Sequence, residues 1–294
     1  FWFTLFFLTA KSEDYENRTY AGKETSITAV PFTVHLKPVG CTGALVHRQW
    51  VLTAGHCIVD EDVSTLYVAL GASDSRLALY YIKADSAYLH PRYLKVYTDP
   101  DISKSAKYDV ALVKLLRPAI LSPYVQLLPM DTGDWPNVTS RTCVLTGYGN
   151  NIYGNTKLHQ SKLHVQTSCG CISNKTVLCA TAFEKGDSPC YGDSGSIMVC
   201  DSKGVAVTSQ ATPHSYCFDK TKAIEELQGS VCGQTNFYYL FSKLQPHFFW
   251  FQRVLSDHTD KRSRASKLKT VQFYHLSSSL QISALLVILL YFYR

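Results

Sequence analysis

Short apolar runs separated by turn-forming residues constrain the fold of this 294-residue chain more than any other feature. From residue 31 onward, runs rich in Val, Leu, Ile and Tyr are interrupted by Gly, Pro, Asn and Asp, and few segments have helical periodicity. Such spacing is typical of antiparallel strands. The sequence therefore predicts one all-β domain of about 240 residues, with a substantial core. Examples of the expected strands are 32–36, 42–46, 50–53, 65–70, 110–115, 143–147, 196–200 and 205–209.

A candidate nucleophile, Ser194, lies between two glycines in the segment Cys-Tyr-Gly-Asp-Ser-Gly-Ser at residues 190–196. Small neighbours allow a sharp turn, in which the N–H groups of Gly192 and Ser194 can point at one carbonyl oxygen. Taken alone, Gly-Asp-Ser-Gly is also an ordinary turn sequence. A serine hydroxyl becomes a good nucleophile only when a base removes its proton and a third group orients that base. The hypothesis therefore requires a suitable histidine and a suitable acid elsewhere in the chain.

Both partners stand earlier in the chain. His56 ends the apolar run Trp-Val-Leu-Thr-Ala-Gly-His at 50–56, and Asp109 begins the run Asp-Val-Ala-Leu-Val-Lys-Leu at 109–115. The order His56, Asp109, Ser194, with these local contexts, resembles the trypsin/chymotrypsin family of serine proteases over residues 19–256. An α/β-hydrolase has the reverse order. The resemblance implies two six-stranded antiparallel Greek-key β-barrels with the active site in the cleft between them, plus a C-terminal helix.

The resemblance also implies a role for each site residue. Ser194 would attack a peptide carbonyl and form an acyl-enzyme, His56 would carry the proton, and Asp109 would fix the tautomer of His56. The N–H groups of Gly192 and Ser194 would form the oxyanion hole. The implied activity is that of a serine endopeptidase on protein or peptide substrates, with no cofactor and no metal, and with protease inhibitors as further partners. The alternative is a secreted binding protein of the same fold with little or no catalysis.

The residues expected to line the substrate pocket differ from those of the family. Counting back from Cys190 places Ser188 at the base of the pocket, whereas treating Pro189 as an insertion places Asp187 there. Ser188 would give a neutral floor, and Asp187 would favour basic substrate side chains. Two wall positions carry side chains where the family has glycine, which would narrow the pocket. The walls are expected at Ser209, Gln210, Ala211 and Asn236.

Ten cysteines predict disulfide bonds and therefore a secreted protein. The resemblance implies that Cys179 pairs with Cys169 or Cys171. The remaining one of those two would pair with Cys232, unless Cys190 pairs with Cys232 instead. Metal binding by Cys169 and Cys171 is disfavoured, because the chain has no second matching pair. The resemblance implies the other bridges: Cys41 with Cys57, Cys143 with Cys200, and Cys190 with Cys217.

The N-terminal residues carry processing signals. Residues 1–10 are apolar but too short to span a membrane, which is typical of a signal-peptide remnant, although a buried strand is the other interpretation. Residues 11–18 form a short pro-segment that ends at Arg18. Cleavage there would free the ammonium of Thr19, which in the family pairs with the aspartate at Asp193. A glycan on Asn17 would lie beside the cut. Further glycosylation sequons begin at Asn137 and Asn174.

The C-terminal residues change in composition after the protease-like domain at 19–256. Residues 257–275 form a basic linker, and residues 276–294 are hydrophobic, which fits a GPI-attachment signal or a short membrane span. Basic residues on the outer flank favour the GPI signal, and a buried helix is the third interpretation. Residues 257–294 account for +4 of the net charge of +6, so the domain carries no nucleic-acid surface. An extracellular or cell-surface protein is expected.

Overall fold

The computed structural model describes residues 22–95, 106–138, 140–151, 153–182 and 186–258. Two closed β-barrels, each built from six antiparallel strands, make up most of this part of the chain and confirm the expected all-β fold. The expected signal remnant and pro-segment, the Arg18 cleavage site with Thr19, and the Asn17 sequon lie outside the described residues. So do residues 259–294, which hold most of the basic linker and the hydrophobic terminus. No helix of the described ranges has the length and apolarity to cross a membrane.

The first barrel places the His56 and Asp109 segments side by side. Its strands are hydrogen-bonded in the order β2-β3-β4-β7-β6-β5, and β5 pairs with β2 to close the barrel. Thr53 at the end of β4 pairs with Ala111 at the start of β7. The chain leaving β4 and the chain entering β7 therefore lie next to each other. The strands are β2 (Thr33–Lys37), β3 (Cys41–His47), β4 (Trp50–Thr53), β5 (Tyr67–Leu70), β6 (Tyr80–Leu89) and β7 (Ala111–Leu115).

The second barrel carries the Ser194 turn, between β12 and β13. Its order is β9-β12-β15-β14-β13-β8, the pairing of β8 with β9 closes it, and β1 (Lys23–Glu24) extends the edge of β9. Leu145, Leu163, Met198 and Phe241 are buried in its core. A short hairpin follows β9, formed by β10 (Ser168–Cys169) and β11 (Ile172–Ser173). The strands are β8 (Ser140–Gly147), β9 (His159–Gln166), β12 (Val177–Ala182), β13 (Ile197–Cys200), β14 (Lys203–Pro213) and β15 (Phe237–Lys243).

All ten cysteines form disulfide bonds, but two pairings differ from the expected ones. The expected bond between Cys190 and Cys217 is wrong: Cys190 pairs with Cys232, the alternative left open by the sequence. Cys217 pairs with Cys171 instead, so the proposed bond between Cys171 and Cys232 is also absent. The physical reason is position: Cys217 ends the short helix that follows β14, where its Cα lies 5.3 Å from that of Cys171. Cys232 is the cysteine that reaches Cys190, with a Cα–Cα distance of 4.9 Å. The remaining bonds are Cys41–Cys57, Cys143–Cys200 and Cys169–Cys179.

Two longer helices lie outside the strands of the described residues, and three short 3-10 helices occupy Val63–Thr65, His214–Cys217 and Gln245–His247. The helix Lys220–Leu227 lies inside the segment between the two cysteines just discussed, and the carboxylate of Asp219 caps it by accepting a hydrogen bond from Lys222 N at 3.0 Å. The sequence analysis did not predict it. A second unit begins at His247, and its described residues are helical at 248–258. This agrees with the expected C-terminal helix.

Candidate active site

A buried carboxylate, Asp109, holds His56 through both of its oxygens. Its Oδ2 accepts a hydrogen bond from His56 Nδ1 at 2.7 Å, and its Oδ1 accepts one from His56 N at 2.8 Å. The Ser209 hydroxyl also donates to Oδ2, at 2.6 Å. A carboxylate can only accept, so Nδ1 carries the proton and Nε2 keeps a lone pair. Burial lowers the pKa of His56, but the charge and hydrogen bond of Asp109 together outweigh it and raise the pKa.

Ser194 lies in a turn that is fixed to both barrels. Its carbonyl oxygen accepts a hydrogen bond from Thr42 N of β3 at 2.9 Å, and Gly195 N donates to Thr208 O of β14 at 3.0 Å. Gly195 has φ +80°, and a Cβ there would lie 2.5 Å from Thr42 O and 2.9 Å from Ala54 N. Only glycine allows this approach, which brings Ser194 to the segment after β4. The Ser194 hydroxyl has no hydrogen-bond partner among the described residues; catalytic bonds often tighten only with substrate.

Two backbone N–H groups in the Ser194 loop are available to an oxygen atom. Within the described ranges, neither Gly192 N nor Ser194 N donates to any acceptor. Gly192 has φ +98°, and its carbonyl oxygen accepts a hydrogen bond from Thr42 Oγ1 at 2.8 Å. The preceding carbonyl, of Tyr191, accepts from Asn150 N at 2.7 Å. The residues expected to form an oxyanion hole are therefore in a loop whose carbonyl groups are bonded elsewhere.

Asp193 lies in the same loop, between Gly192 and Ser194, and its side chain is buried. Its carboxylate accepts hydrogen bonds from Gly149 N and Cys190 N, each at 2.9 Å. Burial raises the pKa of Asp193 to about 6, although both N–H groups favour the charged form. No cation pairs with this carboxylate among the described residues. A side chain at Gly149 would collide with it, since a Cβ there would lie 2.5 Å from the carboxylate.

A second pair of hydroxyl groups supports the chain behind the nucleophile. The Ser196 and Thr208 hydroxyls are hydrogen-bonded at 2.8 Å, and the Thr208 hydroxyl also lies 3.0 Å from Ser196 O. Both residues are buried. The bond therefore satisfies the buried polar side chain of Ser196.

Ser188, one of the two candidates for the base of the substrate pocket, is fully buried. Its hydroxyl accepts a hydrogen bond from Gly233 N at 2.7 Å and also bonds to the Tyr239 phenol. Tyr239 pairs with Ala211 across β14 and β15. Ser188, Tyr239 and Ala211, which was expected in the pocket wall, are therefore brought together, with Gln210 next to them on β14. Sequence analysis missed Tyr239, because the register between β14 and β15 was not known.

The other expected pocket residues point elsewhere. Asp187, the second candidate for the base, accepts a hydrogen bond from Lys162 N of β9 at 3.3 Å. The Ser209 hydroxyl donates to the buried carboxylate of Asp109, so Ser209 supports the pair of His56 and Asp109. Asn236 is exposed, and its carbonyl oxygen accepts from His214 N at 2.8 Å. The expectation that Asn236 forms a pocket wall beside Ala211 does not fit this register, in which residue 237 already pairs with residue 213.

One group of possible metal ligands was found among the described residues: His56 with Cys41 and Cys57. The two cysteines form a disulfide bond, and a metal ligand must be a thiolate. This group therefore does not fit a metal site.

Two of the expected glycosylation sites fall on described residues. Asn137 is exposed, and Asn174 is partly exposed. The Asn174 side-chain oxygen accepts hydrogen bonds from Thr176 N at 3.0 Å and from Thr176 Oγ1 at 2.8 Å. Both sites remain predictions.

Comparison with known proteins identifies the family. The sequence model of the Trypsin family matches residues 19–221. This chain belongs to the trypsin family. Kallikrein-1E2 of Equus caballus is 28% identical over 261 residues, which cover 82% of this chain and 90% of the relative. Trypsin 5G1 of Aedes aegypti is 31% identical over 209 residues, which cover 65% of this chain and 74% of the relative.

Solved structures of the trypsin fold also superimpose on the chain. Human heparin binding protein has a TM-score of 0.63 at 21% identity, covering 80% of this chain and 96% of its own. Mouse neuropsin, a serine protease, has a TM-score of 0.62 at 22% identity, covering 80% and 98%. At this identity the structures establish the fold. The trypsin-family relatives support proteolysis as the general activity.

Proposed function

We propose that this chain is a serine endopeptidase that hydrolyses peptide bonds through His56, Asp109 and Ser194. The observation that carries the proposal is the set of hydrogen bonds from His56 Nδ1, His56 N and the Ser209 hydroxyl to the buried Asp109. They leave His56 Nε2 with the lone pair that a general base needs. A histidine held in this way serves proton transfer in acyl-transfer enzymes.

Each residue has one task in this mechanism. Ser194 Oγ attacks the substrate carbonyl carbon while His56 Nε2 takes its proton, and Asp109 stabilises the resulting imidazolium. The N–H groups of Gly192 and Ser194 donate to the carbonyl oxygen as it becomes negative. The tetrahedral intermediate expels the amine, which receives the proton from His56 and leaves an acyl-enzyme. Water, activated by His56, then attacks the ester and releases Ser194.

The test is digestion of a peptide library by the chain after cleavage at Arg18. Internal cleavage is expected with the wild type and should be lost with Ser194→Ala. Because the Asp187 carboxylate bonds to β9, we expect cleavage after uncharged residues rather than after Lys or Arg. Removal of single terminal residues only, or cleavage that survives Ser194→Ala, would contradict the proposal.

We also propose that the enzyme is made as a zymogen and activated at Arg18. Asp193 supports this, because its buried carboxylate has two backbone donors but no cation among the described residues. The ammonium freed at Thr19 would supply that cation and hold the loop of Gly192. The disulfide bonds favour an oxidising, extracellular setting. Tethering through residues 276–294 remains part of the proposal.

The zymogen proposal predicts a pH-dependent difference between the wild type and Asp193→Asn. In the uncleaved chain the folded-state pKa of Asp193, about 6, lies above its unfolded value. The folded state therefore favours the protonated acid, and this stabilisation is complete below pH 4 and lost as the pH rises through 6. Between pH 4 and pH 7 the free energy of unfolding of the wild type should fall by about 3 kcal/mol relative to Asp193→Asn.

Urea unfolding at both pH values, before and after cleavage at Arg18, measures this difference. After cleavage the Thr19 ammonium should lower the pKa of Asp193, so the pH-dependent loss should disappear. An unchanged loss after cleavage would show that the new terminus does not pair with Asp193.

A further inference from the structure

Thr42 joins the first barrel to the Ser194 loop, which carries the N–H groups of Gly192 and Ser194. It lies on β3 and is fully buried. Its hydroxyl donates to Gly192 O at 2.8 Å, and its backbone N–H donates to Ser194 O at 2.9 Å. One residue of the first barrel therefore binds the carbonyl groups of both residues that the proposed function assigns to the oxyanion hole.

These two bonds restrain the directions of the peptide units in the loop. Gly192 has no side chain to limit its backbone, and it adopts φ +98°, a region that only glycine enters readily. With its carbonyl oxygen bonded to Thr42, rotation about ψ of Gly192 would break a buried hydrogen bond. Ser194 is restrained in the same way. The two bonds hold the peptide units 192–193 and 194–195. The Ser194 N–H belongs to the unit between these two, and the Gly192 N–H belongs to the unit just before the first, so Thr42 restrains both N–H groups through the neighbouring peptide units.

Thr42 is itself held in place. Its hydroxyl accepts a hydrogen bond from Tyr148 N at 3.2 Å, so the group is used as donor and acceptor at once. Its carbonyl oxygen accepts from the Thr53 hydroxyl at 2.9 Å. Thr53 ends β4, three residues before His56. The same network thus connects the loop to the segment that carries the base.

We propose that Thr42 is a positioning residue of the oxyanion hole, and that its hydroxyl keeps the Gly192 and Ser194 N–H groups aimed at one point. This inference rests on the proposed function. Oxyanion donors act only when their direction is fixed before the reaction. Loss of the hydroxyl should therefore slow acylation while the fold and the binding of substrate are retained.

Three variants separate the hydroxyl from the volume of the side chain. Thr42→Val keeps the shape and removes the hydroxyl, whereas Thr42→Ser keeps the hydroxyl. Thr33→Val is the matched control, because Thr33 is a buried threonine of the neighbouring strand β2 whose hydroxyl has no partner among the described residues. All three are made in the full chain and cleaved at Arg18.

The first readout is hydrogen exchange at the amides of Asp193, Gly195 and Ser196, each of which is hydrogen-bonded in this loop. Exchange should be about tenfold faster in Thr42→Val, and it should match the wild type in Thr42→Ser and Thr33→Val. This readout does not depend on catalysis. Equal exchange in Thr42→Val and the wild type would overturn the inference.

The second readout is the burst of p-nitrophenolate from p-nitrophenyl acetate. Its amplitude counts intact sites and its rate reports acylation. Thr42→Val should keep the amplitude and lose about tenfold to a hundredfold in rate, less than or equal to the loss of one oxyanion donor. Thr42→Ser should stay within about threefold of the wild type. A reduced amplitude at an unchanged rate would mean that Thr42 supports only the fold, and would overturn the inference.

The two readouts also separate this inference from the proposed function. If the wild type gives no burst, the proposed function is wrong, and the exchange rates alone decide whether Thr42 holds the loop. If the wild type gives a burst and all three variants match it in rate, the function stands and the inference is wrong.

Discussion

Asp109→Asn is expected to lower kcat about 10⁴-fold at neutral pH. The backbone N–H of His56 donates to Oδ1, so the amide oxygen of asparagine should take that place. Its NH₂ group would then face His56 Nδ1, which becomes an acceptor, and the ring proton moves to Nε2. In this tautomer His56 cannot accept the proton of Ser194. Rates on one peptide substrate, measured from pH 5 to pH 9, test the prediction.

The pH profile supplies a second expected result for the same variant. Asp109 raises the pKa of His56, so its loss should move the acidic limb of the profile to lower pH. Ser209→Ala is the control, because it removes a neighbouring hydrogen bond to Asp109 but leaves the charge and the tautomer. Ser209→Ala should lower kcat by less than about tenfold. Equal losses for the two variants would show that the tautomer of His56 is not the cause.

Gly195→Ala is expected to lower the free energy of unfolding by about 4 kcal/mol or more, and to abolish hydrolysis. The new Cβ would collide with the Thr53 hydroxyl and lie 2.5 Å from Thr42 O, where neither strand can retreat without breaking its barrel. The φ of +80° adds a conformational cost that alanine cannot avoid. Thermal or urea unfolding measures the loss of stability. The reaction of Ser194 with a fluorophosphonate, a reagent for activated serines, measures the loss of activity.

Gly40→Ala is the matched control for that change. Gly40 has nearly the same φ, +76°, but nothing lies within 4 Å of a Cβ placed there. Gly40→Ala should therefore lower the free energy of unfolding only by the cost of the positive φ, about 1 kcal/mol, and keep full activity. If both alanine variants are destabilised equally, the close approach of Gly195 to the first barrel contributes nothing to stability.

The candidate site could be predicted from the sequence wherever its signal was local. His56 and Asp109 each adjoin an apolar run, and these runs are the neighbouring strands β4 and β7. The small residues around Ser194 indicated a tight turn, and Gly195 adopts the positive φ that such a turn requires. Local sequence was sufficient because strand ends and turns depend on adjacent residues.

Features that depend on distant contacts could not be predicted. The bond from Thr42 to Gly192 joins residues 150 positions apart, and no pattern near either one indicates it. The register of β14 and β15 placed Tyr239, and not Asn236, opposite Ala211. Cysteine spacing likewise allowed Cys217 or Cys232 as the partner of Cys190. The pairing with Cys232 depends on the path of the chain between these two cysteines, which the spacing does not indicate.

The central claim, that Ser194 is an activated nucleophile, is tested most directly by its reaction with a fluorophosphonate. The full chain is treated before and after cleavage at Arg18, and the modified residue is located by mass spectrometry. The account predicts one adduct per chain, on Ser194, which forms rapidly only after cleavage and is absent in Ser194→Ala. A correctly folded, cleaved chain that forms no adduct on Ser194 would contradict it and favour a binding protein of the same fold.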